Sequence, residues 1–365
     1  IWSHQPFKAI YTVFTVSYTV PLLAFYYIIY RAKRFRPHPA WSYQLAYVNK
    51  VMQRFYHYAV DVHLKPVVHM TCPKKLSEPE RHVLVDPGPS ELYTGVTRSN
   101  DDIQPTPMPA IWFPRLYDPE EDSERPIILH LQGGAYTHAG DPLQTALFPT
   151  FKFRAHFNAL TFFAQYRVSR TEDTRFPAAL QDSITFYSYL LDQGVSPDRI
   201  IVSGDSAGGN LVLAFARYLS EHEGILSLPR GIMVWSPWVD LRDATSEGYK
   251  TSPHRHTDFV GAHLAFWGTS AFVPKTPKPL TPELEAYISP ILSPSRLEVP
   301  LFINACTAEI LYDQIQVYSD AMQAVEGNEV LYVETEYAPH DLIMAAGAFG
   351  LVKEVDEALE AAREF

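Results

Sequence analysis

The sequence has few cysteines and few positive charges, and each shortage excludes a class of protein. Only two of the 365 residues are cysteine, Cys72 and Cys306, which is too few for the disulfide framework of small secreted domains. No Cys-x-x-Cys pair and no His-Glu-x-x-His motif occurs, so the sequence implies no metal cofactor. The net charge of −11 argues against a nucleic-acid partner.

The chain is rich in apolar residues instead. Hydrophobic residues make up 47% and aromatic residues 13% of the sequence, which excludes a disordered chain and permits a large core. Its length suits one large α/β domain with extra segments, or two small domains.

The run from Arg199 to Leu213 carries the strongest functional signal. Residues 200–203 are apolar or small and predict a buried strand, and an amphipathic helical pattern begins after Gly208. Between them stands Gly-Asp-Ser206-Ala-Gly, the G-x-S-x-G pattern of a nucleophile elbow, which exposes the serine hydroxyl at a sharp turn. The other interpretation is a glycine-rich turn with a buried serine. The strand before the motif and the helix after it favour the elbow.

A nucleophilic serine needs a base and a carboxylate that orients the base. Both follow Ser206 in the chain order acid then histidine, and each stands just past an apolar strand. His340 is the candidate base. Glu309 is the preferred acid because it is nearer the strand end, and Asp313 is the alternative acid.

Glycines after another apolar strand predict an oxyanion hole. Residues 127–131 are followed by Gln132, Gly133 and Gly134. We expect the backbone amides of Gly133 and Gly134, together with that of Ala207, to bind the oxyanion of a tetrahedral intermediate.

Strands and helices alternate over most of the chain, which predicts a mostly parallel, doubly wound sheet of eight strands opened by an antiparallel pair. Residues 241–290 interrupt this alternation and are interpreted as a cap inserted into a catalytic domain of residues 81–365. The predicted strands span residues 81–88, 110–113, 127–131, 160–166, 200–203, 231–235, 301–305 and 330–333.

The first 80 residues form a separate segment that begins with an uncharged apolar run. Residues 9–30 carry no charge, and four basic residues follow between Arg31 and Arg36. This length and charge pattern predicts membrane contact, with the remaining chain on the cytoplasmic side as in an endoplasmic-reticulum anchor. The alternative is a helix of a soluble cytoplasmic protein that covers the active site.

Several motifs in a fixed order resemble the hormone-sensitive-lipase-like branch of the α/β-hydrolases, especially its fungal members. The resemblance runs from about Arg81 to the end of the chain and implies ester hydrolysis without metal or organic cofactor, with Ser206, Glu309 and His340 as the triad. The chain departs from the family at Gln132, where members usually have histidine, and at Glu309, where aspartate is common. The motifs are His130-Leu-Gln-Gly-Gly-Ala-Tyr, Tyr166-Arg-Val-Ser, Phe176-Pro-Ala-Ala-Leu-Gln-Asp, Gly204-Asp-Ser-Ala-Gly-Gly-Asn, Ser236-Pro-Trp-Val-Asp-Leu, Ile288-Ser-Pro and Pro339-His-Asp.

The expected activity is therefore that of a serine carboxylic-ester hydrolase. An aromatic cap and an apolar amino terminus favour a hydrophobic ester with a small acyl group, of a lipid, sterol, terpenoid or polyketide. Two alternatives remain: a cyclisation, elimination or acyl transfer on a natural product, and a ligand receptor on a hydrolase fold. The sequence does not indicate an oligomeric state.

Overall fold

One eight-stranded β-sheet forms the centre of the computed structural model, which describes residues 2–71, 79–242 and 248–365. Cys72 and residues 243–247 of the predicted cap lie outside the described residues. The strands are β1 (His82–Val85), β2 (Met108–Phe113), β3 (Ile127–Leu131), β4 (Leu160–Ala164), β5 (Ile200–Asp205), β6 (Gly231–Trp235), β7 (Leu301–Cys306) and β8 (Val330–Thr335).

The strand order is β1-β2-β4-β3-β5-β6-β7-β8. β2 runs antiparallel to both of its neighbours, and all the other neighbouring strands are parallel. The predicted sheet is confirmed, and each strand lies within three residues of its expected bounds.

Helices cover both faces of this sheet, because parallel strands are joined by helical crossovers. The α-helices are α1 (Phe7–Ile29), α2 (Tyr43–Asp61), α3 (Pro142–Thr145), α4 (Leu147–Phe157), α5 (Ala178–Asp192), α6 (Ser206–Glu221), α7 (Gly248–Thr251), α8 (Ala262–Phe272), α9 (Pro282–Ile288), α10 (Tyr312–Gln323), α11 (Leu342–Phe349) and α12 (Val352–Glu364).

The alternation of side chains along β3 shows how the two faces are filled. Ile127, Leu129 and Leu131 belong to the large core that includes α5 and α6. Ile128 points to the other face and belongs to the core that includes α4, α11 and α12. β3 is therefore buried on both faces, as its continuous apolar sequence requires.

The loops after β3 and β5 emerge where successive strands begin to be added on the opposite side of the sheet. The chain leaves β3 toward β4 on one side and leaves β5 toward β6 on the other. A crevice opens outside the carboxyl ends of two such strands, and ligands bind there in open α/β sheets. Leu131 pairs with Gly204 at these ends, so the loops after β3 and β5 begin side by side.

The amino-terminal helices pack on one another and on the cap. α2 contacts α8 and α11, and α1 lies along α2, where Thr12 and Tyr58 are joined by a 2.9 Å hydrogen bond between their hydroxyls. Among the described helices, α1 is the one long and apolar enough to cross a membrane, with a mean hydropathy of 1.6 and 6% of the tested window buried.

The turn from β5 into α6 has no room for a side chain at Gly208. A Cβ atom there would lie 1.9 Å from the Leu131 carbonyl oxygen, so the Gly208→Ala substitution must displace the backbone. We expect it to lower the free energy of unfolding by at least about 2 kcal/mol. Urea denaturation of the purified variant measures the change.

Gly231→Ala is the matched control. A Cβ atom at Gly231 would meet its nearest neighbour, the Pro300 carbonyl oxygen, at 3.4 Å, an ordinary contact. Equal unfolding free energies for the two variants would contradict the tight packing at Gly208.

Candidate active site

Ser206 stands at a strained turn between β5 and α6. Its φ is +52°, a left-handed conformation that non-glycine residues adopt rarely and mostly where the surroundings enforce it. Gly204 and Gly208 make this turn possible, because a Cβ atom at Gly204 would lie 2.5 Å from the Gly208 carbonyl oxygen. The turn places Ser206 as the first residue of α6, which is the predicted elbow geometry.

The structure brings His340 and Glu309 into direct contact. The Nδ1 atom of His340 lies 2.5 Å from Oε2 of Glu309, and both side chains are buried. The other carboxylate oxygen, Oε1, accepts a 2.8 Å hydrogen bond from the Cys306 amide. The alternative acid, Asp313, is exposed in the first turn of α10, so of the two candidate carboxylates Glu309 is the one in contact with the imidazole.

Ser206 and His340 line one cavity of about 460 Å³. Among the hydrogen bonds of the described residues, none joins the serine hydroxyl to the imidazole. Such bonds are often long before substrate binds. The ring of Phe259 from the cap packs edge-on against His340, with centroids 5.7 Å apart, and limits the movement of the imidazole.

Buried carboxylates raise the pKa of His340. Burial alone lowers the pKa, but the hydrogen bond and charge of Glu309, with the charges of Asp258 and Asp205, more than offset it. The pKa of the imidazole therefore lies above its ordinary value of 6.5. The negative charges of these carboxylates also stabilise the imidazolium that forms when His340 accepts a proton.

The loop after β3 provides two free amides, but not the pair that was expected. The Gly133 amide donates a 2.8 Å hydrogen bond to Oδ2 of Asp205, so the prediction that it binds an oxyanion is wrong. Among the described residues, no protein acceptor is bonded to the amides of Gly134, Ala135 and Ala207. Gly134 and Ala135 line the cavity that contains Ser206 and His340, which we call the catalytic cavity, and the free amide of Ala135 is one that the sequence analysis did not identify.

A side-chain hydrogen bond and tight packing hold this loop, in which Gln132 stands at the position where the resemblance implied histidine. The Tyr166 hydroxyl donates to the Gln132 carbonyl at 2.7 Å, and Gly134 has a φ of +117°. The cap also presses on the loop, because a Cβ atom at Gly268 of α8 would lie 2.5 Å from the Ala135 carbonyl oxygen. The consecutive positive φ values at Gly134 and Ala135 mark the turn that directs these amides.

Asp258 is a third carboxyl group beside the imidazole, and the sequence analysis did not identify it. Ligand atoms of Asp258, Glu309 and His340 all lie within 4.8 Å of one another. Burial raises the pKa of Asp258 to about 6. Its oxygens accept hydrogen bonds from the amides of Val260, at 3.0 Å, and Ile310, at 2.6 Å. Each carboxylate oxygen of Asp258 and Glu309 thus has one hydrogen-bond partner, and for Glu309 Oε2 that partner is the imidazole.

Asp341 and Asp205 form a second buried carboxyl pair beside the site. Burial, followed by the charge of Asp205, raises the pKa of Asp341 well above its ordinary value. The Asp341 and Asp205 carboxyl groups are also joined by a side-chain hydrogen bond, and Asp205 in turn holds the Gly133 amide. The amide of Asp341 donates to the Ser236 hydroxyl at 3.1 Å, so the residue also fixes the loop that carries His340.

Comparisons with known proteins agree with this fold. A family model described as the alpha/beta hydrolase fold matches residues 128–344, more than half of the chain. A double mutant of the esterase E40 shares 26% identity over 71% of this chain and 80% of its own, with a TM-score of 0.57. An esterase from Pyrobaculum calidifontis shares the fold, with 19% identity over 87% of this chain and 91% of its own and a TM-score of 0.61.

Two curated relatives match shorter regions. An acetyl-hydrolase of Streptomyces hygroscopicus is 27% identical over 53% of this chain and 60% of its own length. Steryl acetyl hydrolase 1 of Saccharomyces cerevisiae is 25% identical over 35% of this chain and 29% of its own length. The match thus spans between about a third and three fifths of such relatives. With its sheet, its elbow and the matched family model, the chain belongs to the α/β-hydrolase family and resembles its hormone-sensitive-lipase-like branch.

Proposed function

We propose that this protein is a serine carboxylic-ester hydrolase with Ser206, His340 and Glu309 as its catalytic triad. The observation that supports this most is the His340–Glu309 contact of 2.5 Å in a buried pair whose imidazole lines the same cavity as the elbow serine. A histidine that served only the fold would not need to line the same cavity as a half-buried serine at a strained turn.

The reaction proceeds through an acyl-enzyme. Ser206 Oγ attacks the ester carbonyl carbon while His340 accepts the hydroxyl proton, and the resulting imidazolium protonates the leaving alcohol. Water then attacks the acyl group with His340 again as the base, which releases the acid and restores the serine. Glu309 keeps the Nδ1 proton in place and stabilises the imidazolium in both steps.

The amides of Gly134, Ala135 and Ala207 bind the oxyanion in each step. Their donors are fixed before the reaction by the tight turn and by the uncapped first turn of α6. One such donor contributes about 3–4 kcal/mol to transition-state stabilisation in acyl-transfer enzymes.

A hydrophobic ester with a small acyl group suits this cavity. Its walls are mostly apolar and include Trp238, Phe259, Leu264 and Leu311. The relatives named as acetyl-hydrolase and steryl acetyl hydrolase support an acetyl ester of a bulky apolar alcohol. Hydrolysis incorporates oxygen from labelled water into the released acid, and a cyclisation or elimination does not.

We further propose two units, an amino-terminal segment of residues 1–80 and a catalytic domain of residues 81–365 with a cap at 241–290. Side chains of α1 such as Val13, Phe14 and Ile28 are each at least 66% exposed, which favours membrane contact through residues 9–30. The basic residues between Arg31 and Arg36 favour a cytoplasmic-facing catalytic domain.

Ser206→Ala removes the nucleophile and tests the triad directly. We expect esterase turnover on p-nitrophenyl acetate to fall by several orders of magnitude, with roughly 10³–10⁴-fold acceleration over water remaining from the oxyanion donors and binding. A fluorophosphonate probe should label the unaltered protein at Ser206 and leave the variant unlabelled. Turnover near the original rate in the variant would refute the proposal.

Glu309→Gln removes the charge that orients and stabilises the imidazole. We expect kcat to fall about 10³–10⁴-fold, as for the equivalent change in serine proteases. Asp313→Asn is the control and should leave kcat unchanged, because this carboxylate is exposed on α10. A larger loss in Asp313→Asn than in Glu309→Gln would assign the acid to Asp313.

Asp258→Asn tests the carboxyl group beside the triad by its effect on pH dependence. Above about pH 6 the carboxylate is ionised and raises the pKa of His340. Removing the charge lowers the pKa of His340. The acid limb of the kcat/KM profile should therefore shift to lower pH, by about half a pH unit to one pH unit. If the acid limb and the thermal stability of the variant are both unchanged, Asp258 does not influence the titration of His340.

A further inference from the structure

A second cavity lies between α1, α2 and the loop that precedes α8. It is open to solvent, with a volume of about 770 Å³ that includes part of its opening, and Tyr18 and Tyr26 of α1 form one wall. The cavity shares Phe259 and Val260 with the catalytic cavity. We call it the basic cavity because five basic side chains line it: Lys50, Arg54, His57, Arg255 and His256.

The permanent cations of this cavity lack carboxylate partners among the described residues. Lys50 Nζ donates to the neutral Gln53 side chain at 2.6 Å and lies 5.1 Å from the centre of the Tyr26 ring. Arg54 lies over the Tyr18 ring, and its buried Nε has no hydrogen-bond partner. Arg255 donates to the Ser252 carbonyl at 2.9 Å.

Lys50, Arg54 and His57 repel one another. Burial and then the charge of Arg54 lower the pKa of Lys50, and burial and then Arg54 also lower the pKa of His57. Two carboxylates lie nearby: Asp258 lines the cavity but is turned to two backbone amides, and the charge of Asp61 acts in the opposite direction on His57. Lys50 and Arg54 are half-buried and Arg255 is exposed, so an anion bound in the cavity would offset the repulsion between Lys50 and Arg54.

An apolar groove joins the basic cavity along α1 and α2. This open groove has a volume of about 670 Å³, including part of its opening, and shares Arg54 with the basic cavity; its apolar lining includes Val16, Val20, Leu23 and Phe55. An anionic amphiphile has a charged head and an apolar chain. The cations of the basic cavity suit the head, and the adjacent groove suits the chain.

We propose that the basic cavity binds a phosphate group, with Lys50, Arg54 and Arg255 as its ligands. A phosphate presents enough oxygens and charge to accept hydrogen bonds from several cations at once. The adjacent groove accepts an acyl chain when the phosphate belongs to a lipid. This proposal is independent of the triad, because none of these three residues lines the catalytic cavity.

Isothermal titration calorimetry with inorganic phosphate, and flotation with phosphatidylcholine vesicles with or without phosphatidic acid, test the site on the full chain. We expect Arg54→Gln and Lys50→Gln each to weaken phosphate binding roughly tenfold or more. Arg54→Lys should retain most of the affinity and shows that the fold tolerates the position.

Lys353→Gln removes one positive charge from an exposed side chain on α12 and is the matched control. If the protein binds vesicles with phosphatidic acid but not inorganic phosphate, and Arg54→Gln loses this binding, the result supports the site with a lipid as the source of the phosphate group. Binding of inorganic phosphate as well supports the same site for the free ion. No phosphate-dependent binding in either assay, or an equal loss in Lys353→Gln, overturns the proposal. Ser206→Ala should bind as the original protein does.

Discussion

The contact between Gly208 and the end of β3 is the constraint on which the site depends. Because Gly208 has no Cβ atom, the first turn of α6 can lie against the Leu131 carbonyl. Any side chain at this position would collide with that carbonyl oxygen. This approach places the serine of the elbow beside the loop that carries Gly134 and Ala135. Ser206 and the free amides of Gly134 and Ala135 are therefore positioned by backbone packing, and groups fixed in this way need little reorganisation during a reaction.

Buried carboxyl groups provide the second organising feature. Glu309 holds the imidazole through Nδ1 and is itself held by the Cys306 amide. Asp205 holds the oxyanion loop through the Gly133 amide. Each buried carboxylate is satisfied by a backbone amide or an imidazole, which offsets the cost of removing its charge from water. The same charges raise the basicity of His340 and prepare it to accept a proton.

The cap and the amino-terminal helices connect these groups to the surface. Phe259 packs on His340, Gly268 presses on Ala135, and Gln53 of α2 donates to the Asp258 carbonyl at 2.7 Å. α2 thus lies between the catalytic cavity and α1, whose apolar surface is mostly exposed. A ligand held between α1 and α2 would contact the residues that shape the catalytic cavity.

The sequence by itself determined the sheet, the elbow and the candidates Ser206, Glu309 and His340, because strand periodicity and glycine spacing are local patterns. It preferred Glu309 to Asp313 only because Glu309 is nearer the strand end; both follow β7, and the start of α10 is what turns Asp313 to solvent. It also assigned Gly133 in place of Ala135, because the direction of an amide depends on φ and on a distant acceptor, Asp205. Asp258 and the basic cavity were decided by tertiary structure alone: their residues are far apart in the chain and acquire a shared environment only when the cap and α2 pack together.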